Sequence, residues 1–275
     1  MTAGLVRRGA ALARPYAMAM GLSAMAAGRD VGIAVLHGGD GTRAGEVASL
    51  LDARVGAPEA SDLLVGVLRP GDHPSQIAND IGDHRRRGGD ALVAIVGSPP
   101  QRRRLERELL VHPDIEMSVI THIDAWDSVG IQEFRKAVVR ALGTGRVAAG
   151  QSHDALRSTV ADRLERGAAN RAALVAALPL NSGASMTLLS IIQARLASDI
   201  SGLRQSKPDP RQAAVVAGAA VSAPLWRAFA RRLIAAMPPL ESVIRGGVAY
   251  TVTRGVAAVA RRVVSGGQNL AREES

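Results

Sequence analysis

Between Val31 and Leu142 short, almost uninterrupted apolar runs alternate four times with stretches of helical periodicity, a pattern that leaves few folds besides a parallel sheet covered by helices. The expected strands are Val31 to Leu36, Asp62 to Arg69, Ala91 to Gly97 and Ile115 to Thr121. The expected helices run from about Thr42 to Val55, Pro74 to Arg87, Pro100 to Leu110 and Val129 to Leu142. Leu63-Leu64-Val65-Gly66-Val67-Leu68 and Ala91-Leu92-Val93-Ala94-Ile95-Val96 carry no polar side chain, as strands buried on both faces require.

Composition narrows the function classes. Of the 275 residues 47% are hydrophobic but only 2% aromatic, so any core is built from Ala, Val, Leu and Ile. That favours closely packed helices and disfavours a base-stacking nucleic-acid platform. The absence of cysteine excludes disulfides, thiolate metal sites and a cysteine nucleophile.

The net charge of +9 is unevenly spread. Residues 1–28 hold Arg7, Arg8 and Arg14 and no acid, whereas residues 29–143 hold 14 basic and 17 acidic side chains. Residues 144–275 hold 17 basic and 8 acidic ones, and within residues 211–272 nine arginines face one acid, Glu241. Arginines set among Ala, Val and Leu suit an anionic membrane surface better than a DNA groove, so nucleic acid is the weaker partner class. Ordinary solvated helices would carry the same charge.

A membrane-spanning helix needs roughly 20 apolar residues in succession. The longest uncharged run, Ala172 to Ala194, has the length, but Pro179, Asn181, Ser182 and Gly183 divide it into two helices and a turn. Peripheral association or a shallow insertion is therefore expected. The first 28 residues have the outline of a secretory signal, yet Leu5, Leu12, Tyr16 and Met20 recur at near-helical spacing, and an amphipathic helix is the preferred reading.

In a sheet of this kind ligands bind beyond the carboxyl ends of the strands. The first such loop, His37-Gly38-Gly39-Asp40-Gly41-Thr42-Arg43, sits where a phosphate loop would, and Gly38, Gly39, Gly41, Thr42 and Arg43 are its candidate nucleotide contacts. The P-loop spacing is not met, however. The chain has only two lysines, Lys136 and Lys207, and neither follows a glycine-rich loop. Asp40 would repel a phosphate, and Arg43 is the only substitute charge, so a structural turn competes with a binding role. His37, His73 and His122 lie near strand ends and permit a metal cluster without indicating one.

The run Ile115-Glu116-Met117-Ser118-Val119-Ile120-Thr121-His122-Ile123-Asp124, followed by Gly130-Ile131-Gln132-Glu133-Phe134-Arg135, resembles the end of an Era-like small GTPase domain. There a closing strand leads through a base-contacting loop into a helix opened by Gly-Ile-x-x-Leu. Two registers are open. In one, Thr121-His122-Ile123-Asp124 stands for the guanine-specifying [NT]KxD motif and Asp124 contacts the base. In the other, that motif falls at Gly97-Ser98-Pro99-Pro100 and is absent, a register favoured by the Gly130 helix. Neither supplies a P-loop or a DxxG metal switch in order, since Asp127-Ser128-Val129-Gly130 comes too late. The resemblance thus implies a degenerate domain in which GTP and magnesium have lost their motifs.

The second half is similar to the helical domain of unknown function that follows GTPase domains in YcjF-type bacterial membrane proteins. It carries Arg166-Gly167-Ala168-Ala169-Asn170-Arg171, Leu188-Leu189-Ser190-Ile191-Ile192-Gln193 and Asp199-Ile200. That likeness implies a membrane-associated helical appendage with no catalytic residues to carry over. In their own right, Leu156, Val160 and Leu164 recur at i, i+4, and Asn170 and Gln193 are polar residues that could pair across a hairpin. Pro224 opens a stretch whose Leu225, Phe229, Leu233 and Met237 form a stripe. Trp226, Arg227, Phe229, Arg231 and Arg232 are its candidate membrane contacts. Farther on, Gly247, Thr251 and Gly255 repeat every four residues, a spacing that lets helix backbones approach closely.

The expected architecture is an N-terminal amphipathic segment (1–28), a degenerate P-loop GTPase-like α/β domain with a parallel sheet (29–145), and an all-α basic domain (152–275). The expected role is non-catalytic: membrane-proximal binding or scaffolding in the cytoplasm, peripheral to the inner membrane, with a protein partner or homo-oligomer. A nucleotide switch with an unconventional site is the alternative.

Overall fold

The computed structural model describes residues 31–37, 41–55, 61–178, 182–203, 232–237 and 240–273, with side chains described for all of these except 37, 41–43, 182–184 and 263–273. The chain divides into two compact units at Val160/Ala161, a point inside a helix.

The first unit is a five-stranded parallel sheet. In chain order its elements are β1 (Ile33–His37), α1 (Gly41–Leu51), β2 (Arg54–Val55), β3 (Leu63–Leu68), α2 (Pro74–Arg86), β4 (Asp90–Val96), α3 (Pro99–Leu109), β5 (Ile120–Ile123), α4 (Ser128–Ala141) and α5 (Arg146–Ser152). The strands lie in the order β2-β1-β3-β4-β5, with Val35 beside Val65, Val65 beside Leu92 and Ile95 beside His122. Every residue of β3 is buried, as its unbroken apolar sequence requires.

Side-chain alternation divides the core between two faces. Leu64, Leu68, Val93 and Ile95 pack with Ile77, Ala78 and Ile81 of α2 and Leu105 and Leu109 of α3. On α1, Ala44, Val47, Ala48 and Leu51 are buried, and on α4 Phe134, Ala137 and Val138 are. Arg135 of α4 reaches α1 by donating to the carbonyl of Leu50 at 3.2 Å. After α5, His153 sets Nδ1 2.8 Å from the carbonyl oxygen of Asp52 and Nε2 2.8 Å from that of Val31.

Two boundaries depart from expectation for local reasons. The first helix stops at Leu51 because Asp52 takes a left-handed φ of 55°, and the released Arg54-Val55 pairs with β1 as a short edge strand. The alternation Ile115, Met117, Val119 reads as a strand, but these residues form a turn and a 3₁₀ segment at Met117–Val119. Ile115 and Val119 are buried and Met117 is exposed, and the strand starts only at Ile120.

The described part of the second unit consists of the remainder of α6 (Asp154–Ala177), α7 (Ser182–Gly202), a helical stretch at residues 232–236 and α8 (Glu241–Glu273). Small side chains bring these helices together: Ala168, Ala169 and Ala172 on α6, Ala197 on α7, and Ala257 and Ala260 on α8 are all nearly inaccessible. At Gly246 an added Cβ would lie 3.2 Å from the carbonyl oxygen of Ala173, so the close approach between α8 and α6 is made there. The expected stripe is not the contact, because Gly247 and Gly255 have open space where a Cβ would be and Thr251 is exposed. Gln193 pairs with Thr253 of α8 at 3.5 Å, while Asn170 faces solvent, so the two do not meet across the hairpin.

Candidate functional site

The strand order reverses between β1 and β3, which makes the crevice outside His37 and Leu68 the topological switch point of the sheet. Gly38 and Gly39 lie outside the described residues. Gly41, Thr42 and Arg43 form the first turn of α1, so the amino end of an eleven-residue helix follows the end of β1.

The neighbouring loops are closed by the protein's own side chains. Arg69, at the end of β3, sets its guanidinium carbon 5.5 Å from the ring centroid of Trp126, in the loop after β5. Trp126 in turn packs on the fully buried Phe134 of α4, with ring centroids 5.2 Å apart. Between them stands Gly97 at the end of β4, whose φ of 145° only glycine adopts readily. A side chain there would lie 3.1 Å from Pro70 and 3.2 Å from Gln101, so the glycine leaves room for the loop after β3 to pass. The backbone amide of Arg69 is also fixed, donating to the carboxylate of Asp72, three residues on, at 2.9 Å.

The carboxylates near this end are already engaged. Asp124 is exposed, and one oxygen lies 2.5 Å from Nη1 of Arg102 on α3, whose side chain is largely buried. Asp127 caps α4 by accepting the amides of Val129 at 3.0 Å and Gly130 at 2.8 Å. Gly130 is required where it stands, because a Cβ there would overlap the carbonyl oxygen of Ala125. From β1 to β5 there are three strand spacings, on the order of 14 Å, so the ends of these two strands are set well apart. His37 ends β1, His73 precedes α2 and His122 lies in β5; among the described residues no group of three metal-ligating side chains forms.

A second concavity of about 730 Å³ is lined by Pro99, Arg102, Arg103, Glu106 and Arg107 of α3 and by His122 of β5. Within it His122 Nε2 stands 3.0 Å from a Glu106 oxygen. Sequence reasoning passed over both this cleft and the Arg69–Trp126 contact. The signal available was the cluster Arg102-Arg103-Arg104 in a helix leading into a strand with a histidine.

Of the candidate membrane contacts, Trp226, Arg227, Phe229 and Arg231 lie outside the described residues, and Arg232 is exposed. Several other arginines of the basic stretch are bound within the protein. Arg254 donates to Glu165 at 2.7 Å, and Arg261 donates to Glu165 at 2.8 Å and to Asp162 at 2.9 Å. The Glu165 hydrogen bond, with Coulomb attraction second, raises the Arg254 pKa above its ordinary value. Arg245 pairs with Glu241 one turn away. By contrast Leu174, Leu178 and Leu188, in the uncharged run, are 63%, 44% and 42% exposed. Among the described residues no helix is long and apolar enough to cross a membrane.

Comparison with family models, with curated proteins and with solved structures gives no match.

Proposed function

We propose that the chain is a non-catalytic, degenerate GTPase-like module followed by a helical membrane-associated region, and that it binds or scaffolds a partner at an anionic membrane surface, in the cytoplasm. The observation that carries the non-catalytic half is the self-occupied carboxyl end of the sheet. Asp124 is spent on Arg102, Asp127 on capping α4, and Arg69 and Trp126 close the space between β3 and β5. To read a base, Asp124 would have to share or exchange its exposed pairing with Arg102 for a ring N–H, and Asp127 would have to add a metal to its two cap amides.

The membrane half is supported by the leucines beside the break in the uncharged run. Exposed Leu174, Leu178 and Leu188 lie within a segment with no charge from Ala172 to Ala194, which suits insertion to headgroup depth and not a span. Because Arg254 and Arg261 are taken up by Glu165, apolar contact contributes more here than the nine arginines suggest. Calorimetric titration with nucleotides tests the first half and flotation with vesicles the second.

A nucleotide switch is the second reading, favoured by one observation: the strand order puts the amino end of α1 at the switch point.

A further inference from the structure

The sheet ends on β5, and among the described residues no strand pairs with its outer edge. The direction of its backbone groups follows from the β4 pairing, in which Gly97 donates to the carbonyl oxygen of Ile123 at 3.1 Å. Successive residues of a strand turn their N–H and C=O to opposite sides, so His122 presents its own amide and carbonyl to the unpaired edge. A free edge of this kind is a template for another extended chain.

Beside that edge runs the cleft on α3. Arg102 and Glu106 are occupied by Asp124 and His122. Arg103 and Arg107 are exposed, and among the described residues no carboxylate pairs with either. Arg107 spends only its Nε, on the carbonyl of Arg103 at 3.2 Å. A strand laid against β5 would point every second side chain toward this helix.

We propose that β5 and α3 together form a docking groove for an extended acidic peptide, which adds to the sheet as a sixth strand while its carboxylates meet Arg103 and Arg107. A second copy of this chain is the poorer occupant, since pairing edge to edge would bring the same arginines together. The groove shares no residue with the switch point or with the exposed leucines Leu174, Leu178 and Leu188, so failure of the nucleotide or lipid assignments leaves it untouched.

The test is fluorescence anisotropy on the full chain with three labelled octapeptides: alternating Glu-Val, alternating Lys-Val, and Glu-Val with every second amide N-methylated. Saturable binding of the first alone is expected, weakened at least about tenfold by Arg103→Glu with Arg107→Glu. Both positions are exposed, and the milder pair Arg103→Gln, Arg107→Gln gives the same direction should charge reversal impair folding. No saturable binding of the Glu-Val peptide overturns the proposal. So does equal binding of the N-methylated peptide, which would mean attraction of anions without strand pairing, or an affinity unmoved by either double variant.

Discussion

Arg69 and Trp126 are joined across the end of β4, the guanidinium carbon 5.5 Å from the ring centroid. Replacing Arg69 with Ala is expected to cost only about 0.5–1 kcal/mol of stability, the scale of a partly exposed cation–π contact. Its clearer mark is optical. In a Trp226→Phe background, emission from Trp126 shifts to the red and acrylamide quenching increases; unchanged quenching would mean that Arg69 does not cover the ring.

Gly97→Ala forces a side chain onto a left-handed backbone and against Pro70, and Gly130→Ala drives a methyl group into the Ala125 carbonyl. Each is expected to lower stability by about 1–3 kcal/mol in urea unfolding. Phe134→Ala, which empties a fully buried site beneath Trp126, costs more, about 3–5 kcal/mol. A Gly97 variant as stable as the parent would remove the reason for glycine there.

The α/β alternation was legible because β3 and, from Leu92 on, β4 are buried on both faces, and such runs have no polar residues to hide their pattern. Their helices were placed within a residue or so by prolines and by the apolar spacing of Ile77 and Ile81 or Leu105 and Leu109. β2 was not legible: two exposed residues, Arg54 and Val55, have no pattern, and only the backbone of Asp52 releases them from the helix. The Gly247 stripe misled because spacing alone does not say which side of a helix faces a neighbour, and Gly246 is the residue against Ala173. Likewise the sequence lists arginines but not their acids, so the pairing of Arg254 and Arg261 with Glu165, about ninety residues earlier, was invisible.

Glu165→Gln keeps the shape of the side chain and removes its charge. Since Arg254 and Arg261 are partly exposed, a modest drop in melting temperature is expected, smaller at high salt. Gly247→Ala points the other way. With open space at that position, helix propensity stabilises α8 by up to about 1 kcal/mol, whereas Gly246→Leu clashes with α6. Thermal melts of the three variants decide between these outcomes.

Flotation with vesicles of anionic phospholipid is expected to carry the protein upward at low salt. Replacing Leu174, Leu178 and Leu188 with Ser lowers the floated fraction at low and high salt alike, because the lost contact is apolar. Charge reversal at Arg232 acts mainly at low salt. Absence of flotation at low salt removes the membrane half of the account.

On the proposal of a non-catalytic module, the carboxyl end of the sheet does not serve a nucleotide. Isothermal titration of the full chain with GTP, GDP and ATP, with and without magnesium, is predicted to show no saturable heat. Micromolar binding of any of the three, lost on Asp124→Ala, would contradict it.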